Sequence, residues 1–549
     1  MILAKFVAFL LLVSVSVIIA IPAFPGAEGW GANSLGGRGG KVIHVTKLTA
    51  GGTGSLAAAV AVSGPKIIVF DTGGVIDLMN QPIRVSSYTT IAGQTAPGGI
   101  TLKNGGVYTV SGATNVVVRH IRVRRSADMA DGDCMRFENA TDCIFDHMSG
   151  MWCSDEILDF VRCARITVQY TSISEPGSCF EKYGSGAGYG NTRTGILGNT
   201  ITGGITLYRC LLSDHSKRSP YLSNEAASSP GQTFELINNF FYNCAQASGE
   251  SFDNNNIPLN LVSNYYKIGR NTTIFTPYFM HKGSASKIMR VHATGNYHHT
   301  QPTITKPSAF FDSTTVSSFV DTFITPRKTT NIMTAQNAMQ EVFNYVGPFP
   351  RDNADHRVCT ETQYEDKPTA AAWMVSCAAL NDTLMTYKGP KIVDTDKDGM
   401  SDSWETTRGF NPNDTADYKT IMPSGYMAIE AYINELSDTL VARRQLVSEK
   451  QSLIAFAPSN NDLQLTPNPF SSTVTFMYKV EPSKAYTVAV WNLAGQCVFK
   501  KSMTSGNSTT ASLTWNGLSN SAQSLPAGNY MVTVVQGKQK LAKRLALIR

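Results

Sequence analysis

Charged side chains are scarce. Asp, Glu, Lys and Arg make up 16% of the 549 residues, against roughly 25% in ordinary soluble proteins. No run of Lys or Arg occurs, so the electrostatic footprint of a nucleic-acid binder is missing and no nucleic-acid partner is expected. The formal net charge of +6 is compatible with a polyanionic partner but does not name one. The ten cysteines form no C-x-x-C pair and no zinc-ligand spacing, which excludes zinc ribbons and thioredoxin-like redox chemistry. Seven of them fall between Cys134 and Cys244, where they read as buried thiols of a repeat; Cys359 and Cys377 flank a polar loop and are the pair expected to be bridged. Long apolar runs are absent beyond the N-terminus, so no membrane span is expected there.

The N-terminus itself reads as an export signal over residues 1–23. Lys5 supplies a positive start, Phe6 to Ala20 is apolar, and Ala20 and Ala23 offer cleavage points. The competing reading is a membrane anchor, but no basic stop-transfer cluster follows the apolar run.

What is abundant is glycine, with 45 residues, together with short apolar segments. Seven such segments follow one another: Asn115–Val123, Cys143–His147, Arg165–Ile173, Gly204–Leu212, Phe234–Tyr242, Leu259–Tyr266 and Ile288–Tyr297. They recur every 20 to 40 residues or about that, a spacing typical of solenoids, and each is too short for a helix and is followed by Gly, Asn or Ser turns. Asn239, Asn264 and Asn296 occupy similar places in successive repeats, as a ladder of side chains at a bend would require. The expected fold is all-β: a right-handed parallel β-helix over 24–385, each coil burying its apolar face on the next. Upstream, Gly52, Gly54 and Ala57 fit the G-x-G-x-x-A dinucleotide pattern with Asp71 about 20 residues on. The following elements do not alternate strand and helix, so this match is discounted.

Beyond residue 385 the character changes. A short acidic module occupies 386–440, residues 441–460 form a linker that is helical in part, and 461–549 reads as a small β-sandwich of alternating strands with Pro and Gly turns. Within the acidic module, Asp394, Asp396, Asp398, Met400, Asp402 and Glu405 fit D-x-D-x-D-G-x₅-E. Oxygen donors fall at positions 1, 3, 5, 9 and 12, a backbone carbonyl at position 7, and Gly399 sits where the turn is sharpest. That spacing predicts a structural Ca²⁺ site in a loop that resembles an EF-hand loop.

A second acidic cluster lies within the repeats. Asp131 and Asp133 stand in "ADGDCMRF", and Asp155, Glu156 and Asp159 in "CSDEILDF". Residues i and i+2, or i and i+4, share a face of a strand. Asp131 with Asp133, and Asp155 with Asp159, can therefore project together from adjacent coils, where only a hard cation such as Ca²⁺ relieves their repulsion. A solvated acidic turn is the alternative. Arg218, in "DHSKRSPYL", follows with Lys217 and His215 beside it.

In order along the chain, "FPGAEGWGANSLGGRGGKVIHVTKL", "VVVRHIRVR", "DGDCMRF", "IFDHMSGMWCSDE", "ITVQYTSISE" and "KRSPY" resemble the family 1 polysaccharide lyases, the pectate lyases, over roughly residues 24–350. The resemblance implies a Ca²⁺-dependent β-elimination on polygalacturonate or pectin. Asp131, Asp133, Asp155 and Asp159 would hold the catalytic calcium and Arg218 would be the base. It also implies substrate contacts at Lys182, Lys217 and Tyr221. Relatives commonly carry "RNPR" where this chain has "RSPY", so Tyr221 and Ser223 replace basic contacts and put fine specificity in question. His147 in "FDH" reads as structural. The C-terminal "LTPNPFSSTVTF", "VAVWNLAGQCV" and "LPAGNYMVTV" resemble a type IX secretion sorting domain. That implies passage through outer-membrane secretion machinery and a secreted or outer-surface location on a bacterium; a carbohydrate-binding sandwich is the alternative. The chain is expected to be a monomer. Three other functions compete: a pectin lyase on methyl-esterified substrate, which needs no calcium; a glycoside hydrolase, which needs paired acids and lacks "NTD" and "GHG" here; and a non-catalytic surface protein binding acidic polysaccharide through calcium.

Overall fold

The computed structural model describes residues 21–125, 132–153, 155–176, 185–188, 203–215, 219–220, 222, 233–244, 250–251, 257–269, 280–281, 289–304, 306, 318–362, 389, 392–455, 463–468, 470–492, 497–520, 523–525, 528–537 and 539–547. Residues 1–20 of the expected export signal and Cys377 lie outside them. Among the described residues no helix is long and apolar enough to cross a membrane.

Three parallel sheets wind around one core. The first has eleven strands, from Lys41–Val45 to Ser318–Phe319; the second has nine, from Gly74–Asp77 to Tyr297–His298; the third has five, from Ile83–Val85 to Ser185–Gly188. The register stacks identical positions of successive coils. Val116, Cys143, Ile166, Ile205, Phe234, Leu259 and Val291 form one inward column of the first sheet. Val118, Phe145, Val168, Leu207, Leu236, Leu261 and Ala293 form the next. All are buried in one apolar core. Period-2 alternation with both kinds of neighbour in register is what a solenoid coil requires. Cys134, Cys143, Cys153, Cys163, Cys210 and Cys244 are buried free thiols, as the repeat implied.

Six of the seven apolar segments bend into two strands, one in the first sheet and one in the second, and the other, Cys143–His147, ends at its bend. The bend residue is left-handed: His120, His147, Tyr170, Arg209, Asn238, Ser263 and Gly295 all have φ between 46° and 66°. After the last three bends comes the asparagine ladder. Asn239 Oδ1 accepts from the Cys210 amide at 2.9 Å, Asn264 Oδ1 from the Asn239 amide at 2.8 Å, and Asn296 Oδ1 from the Asn264 amide at 3.0 Å. The amides that follow the bends at Arg209, Asn238 and Ser263 are thus satisfied.

The solenoid begins well before residue 115. The segment of the dinucleotide-like match lies between two parallel strands, Lys41–Val45 and Lys66–Phe70, and contributes the short helix Leu56–Ala61, whose Leu56, Ala59 and Val60 close the end of the core. The glycine-rich stretch before it runs across the outer face of the first sheet. A Cβ on Gly31 would lie 2.0 Å from the Cys143 carbonyl oxygen, and one on Gly37 1.8 Å from that of Lys66, so only glycine fits this close approach.

Two helices, Ala335–Tyr345 and Asn353–Glu361, cover the second sheet, burying Ala335, Val342, Ala354 and Val358 against Leu211, Phe240 and Tyr242. Asp352 caps the second helix through the Asp355 amide and pairs with fully buried Arg124 at 3.0 Å.

The chain divides into two compact units, 1–441 and 442–549. The acidic module belongs to the first; the helix Ala428–Ala455 runs through the boundary. The second unit has antiparallel sheets of three and four strands enclosing Phe476, Val488, Val490, Trp515 and Val532, consistent with a β-sandwich.

Candidate functional site

The third sheet carries the first acidic cluster. Asp133 lies two residues before the strand Met135–Glu138, and Asp155 immediately precedes Glu156–Val161, which contains Asp159. The two strands pair in parallel with Arg136 opposite Asp159. Met135, Phe137, Leu158 and Phe160 point into the core, so Arg136 and Asp159 face outward together. Asp133 and Asp159 are buried; Asp155 is exposed. The carboxylate oxygens of Asp133, Asp155 and Glu156 lie within 4.8 Å of one another. Asp133 Oδ1 accepts from the Glu156 amide at 3.1 Å. Arg136 bridges the outer pair, 3.1 Å from Asp133 Oδ2 and 3.3 Å from Asp159 Oδ2.

Burial first, then the Asp155 charge, pushes the Asp133 carboxyl up to about 6. Burial and the charge of Asp133 hold Asp159 well above the carboxylate range, and Arg136 counters only part of this. An all-oxygen set that resists ionisation without a countercharge suits a hard cation, so these residues fit Ca²⁺. Glu156 joins the cluster because the chain turns just before its strand. Simple alternation separates it from Asp155 and Asp159. Asp131 lies outside the described residues.

Lys182, Lys217, Arg218 and Tyr221 also lie outside them, but both ends of the Lys217–Arg218 segment are held. The buried His215 ring faces the Ile173 carbonyl through Nε2 at 2.8 Å and Ser219 Oγ through Nδ1 at 2.8 Å. A carbonyl only accepts, so Nε2 carries the proton and Nδ1 accepts from Ser219. Burial lowers this imidazole to about 4, which keeps it neutral. Beside it, Asn243 donates to Asp214 Oδ1 at 2.7 Å.

The second acidic cluster is the loop of the 386–440 module. Asp394 accepts from the amides of Lys397 at 2.8 Å and Gly399 at 3.1 Å, and Asp398 from that of Met400 at 2.8 Å, which folds the loop tightly around a left-handed Gly399. Oxygens of Asp394, Asp396 and Asp398 form one close group, and those of Asp398, Glu405 and Asp417 a second. Burial, opposed by the hydrogen bond from the Met400 amide and reinforced by the acidic neighbours, raises Asp398 to about 8; burial and acidic neighbours raise Glu405 to about 7. Both Glu405 oxygens, Asp396 Oδ2, Asp398 Oδ2 and Asp417 Oδ1 are buried without a hydrogen-bond partner. Such orphaned carboxylate oxygens fit a cation with several oxygen ligands. Met400 is fully buried against the solenoid. Asp402 stands apart from both groups: its Oδ1 accepts from the Thr395 amide at 2.8 Å and its Oδ2 from Thr395 Oγ1 at 2.6 Å. Nothing in the twelve-residue spacing points to Asp417.

A third set, His120, Asp146 and His147, is structural. The rings of His120, His147 and Tyr170 stack at 4.8 Å spacing, and Arg119 holds Asp146 at 2.8 Å.

Comparison with known proteins fits both units. Residues 464–548 match the family model of the secretion system C-terminal sorting domain. Probable pectate lyase C of Aspergillus flavus is 31% identical over 433 residues, covering 76% of this chain and 94% of that protein. Probable pectate lyase C of Aspergillus fumigatus is 31% identical over 445 residues, with the same coverage. Among solved structures, pectate lyase C from Erwinia chrysanthemi, determined at pH 9.5 with 30 mM Ca²⁺, is 17% identical, covers 59% of this chain and 96% of its own, and has a TM-score of 0.35. With so long a match to its relatives, this chain belongs to the pectate lyases, a family of polysaccharide lyases.

Proposed function

We propose that the chain is a calcium-dependent pectate lyase, secreted or held on the outer surface of a bacterium, that cleaves (1→4)-α-D-galacturonan by β-elimination. The observation that carries this reading is the crowding of Asp133, Asp155, Glu156 and Asp159 on the third sheet, with their ionisation opposed by burial and by one another. Asp133, Asp155 and Asp159, with Asp131, would hold Ca²⁺, which when bound supplies positive charge to the substrate carboxylate and acidifies the adjacent C5 proton. Arg218 takes that proton as a neutral guanidine. The electron pair of the C5–H bond forms the C4=C5 double bond, and the C4–O bond breaks, its oxygen leaving with a proton from solvent. Arginine's ordinary pKa lies about 12.5 or higher, so the reading carries an expectation of alkaline activity. Lys182, Lys217 and Tyr221 are proposed to contact substrate. The sorting domain supports export through outer-membrane machinery, and the proposed organisation is 1–23 signal, 24–385 solenoid, 386–440 calcium module, 441–460 linker and 461–549 sorting domain.

The test follows ultraviolet absorbance of the unsaturated product on polygalacturonate. Chelator should abolish the signal and calcium restore it, and Arg218→Ala should lower kcat by about 10²- to 10⁴-fold, the span of a lost general base. Absence of product from any pectin, with calcium-dependent binding retained, would leave a binding protein. Chelator-insensitive activity on methyl-esterified pectin would leave a pectin lyase.

A further inference from the structure

We infer that Asp417 is a ligand of the cation in the 394–405 loop, taking a place the loop's own spacing would give to Asp402, and that this ion fastens the acidic module onto the first coils of the solenoid. The inference rests on the reading of that loop as a calcium site. Asp417 opens the short turn Asp417–Lys419, outside the loop, yet its carboxylate converges with those of Asp398 and Glu405. Its Oδ2 accepts from the Asn411 amide at 3.1 Å, which leaves the buried Oδ1 free of hydrogen bonds. Glu405 is completely buried, and neither of its oxygens has a partner. A fully buried carboxylate with both oxygens unpartnered is costly unless a countercharge is present, and the charges that act most on this one are those of Asp396, Asp417, Asp394 and Asp402. Asp402, by contrast, spends both oxygens on Thr395.

The ligands sit on the seam between module and solenoid. Next to Asp417, Tyr418 packs against the cluster containing Ile67, Val69 and Ala92 and donates its hydroxyl to the Gly40 carbonyl at 3.3 Å. Next to Asp398, Gly399 lies against Val42, where a Cβ would come within 2.7 Å. His44 of the first strand reaches the Lys397 carbonyl at 3.1 Å through Nε2 while its Nδ1 meets Asp71 at 2.6 Å. One ion held by Asp394, Asp396, Asp398, Glu405 and Asp417 therefore fixes two segments that each touch the solenoid's first coils.

The experiment is calorimetric titration of calcium into the full-length chain carrying Asp155→Asn, so that the solenoid cluster does not contribute. Asp398→Asn, Asp417→Asn or Asp402→Asn is then added. Asp417→Asn should weaken the remaining site about tenfold or more, and Asp402→Asn by less than about threefold. Far-ultraviolet circular dichroism of each variant, with thermal melts at saturating calcium, separates lost ligation from lost folding. Unchanged affinity in Asp417→Asn, with Asp398→Asn abolishing binding, overturns the inference and leaves the loop a calcium site. Absence of any binding to the Asp155→Asn parent overturns both.

Discussion

At the scale of single residues, His215 shows how a buried neutral imidazole can serve a reaction it does not touch. Its two hydrogen bonds pin Ser219 and the Ile173 carbonyl, so they bracket the segment carrying the proposed base. Replacing it by Ala removes one anchor, the ring that links Ser219 to the Ile173 carbonyl. We expect His215→Ala to lower kcat about tenfold or more while KM shifts little, because orientation of the base and not substrate contact is lost. A purely structural role would instead lower stability with kcat per folded molecule unchanged. The ring also predicts a pH dependence of folding. Its pKa is about 4 in the native state against an ordinary 6.5, so the unfolded chain binds the proton more readily. Stability should be full above pH 6.5 and fall as pH drops toward 4, by roughly 3 kcal/mol from this group. Urea titrations at pH 7 and pH 4.5 check it; the difference between the two should shrink in His215→Gln.

Among the elements, the asparagine ladder is the most legible feature of the sequence and offers a clean test. Asn264 accepts from the Asn239 amide and donates to the Leu236 carbonyl at 2.7 Å. Asn264→Ala leaves the buried Asn239 amide unpaired and removes a bond to the Leu236 carbonyl, for a loss of about 1–3 kcal/mol in urea unfolding. The ladder could be read from sequence because the same side chain recurs at each bend. The bends themselves could not be placed. His120, His147, Tyr170 and Arg209 take left-handed conformations without being glycine, so nothing interrupts the apolar run, and one long strand was expected where two meet at an angle. The coils before residue 115, which the expected solenoid over 24–385 includes, show no such repeat in the sequence because they lack the ladder asparagines. The helices Ala335–Tyr345 and Asn353–Glu361 went unread as well. What seats the second is a buried pair between Arg124 and Asp352, and a partner 228 residues away leaves no local pattern. At the acidic cluster, alternation brought Asp159 to the outer face correctly but gave no hint that Arg136 would stand between it and Asp133, because the parallel register decides which residues are neighbours.

For the whole molecule, the module and the solenoid share a core, so a cation bound in one should stabilise both. Met400, Trp404, Ile429, Tyr432 and Ile433 pack with Ile67, Val69 and Ala92. Arg38 pairs with Glu430 at 2.8 Å, Gln94 donates to the Ile433 carbonyl at 3.2 Å, and Arg119 reaches Asn434 and Ser437. An ion that binds only the folded loop stabilises by about 2.7 kcal/mol at a free concentration a hundredfold above Kd, and this contact surface passes the gain to the strands beneath. Chelation should therefore lower the melting temperature of the 1–441 unit by several degrees. The antiparallel unit, whose core of Phe476, Val488 and Trp515 contains no part of the loop, should melt unchanged. Loss of activity on chelation is expected from the solenoid cluster alone, so activity cannot serve as the readout. Differential scanning calorimetry of Asp155→Asn can: its main transition should still move with calcium, and in the Asp155→Asn, Asp398→Asn double variant it should not. If the single variant already melts independently of calcium, the loop does not fasten the solenoid, and the shared apolar core holds the module in place by itself.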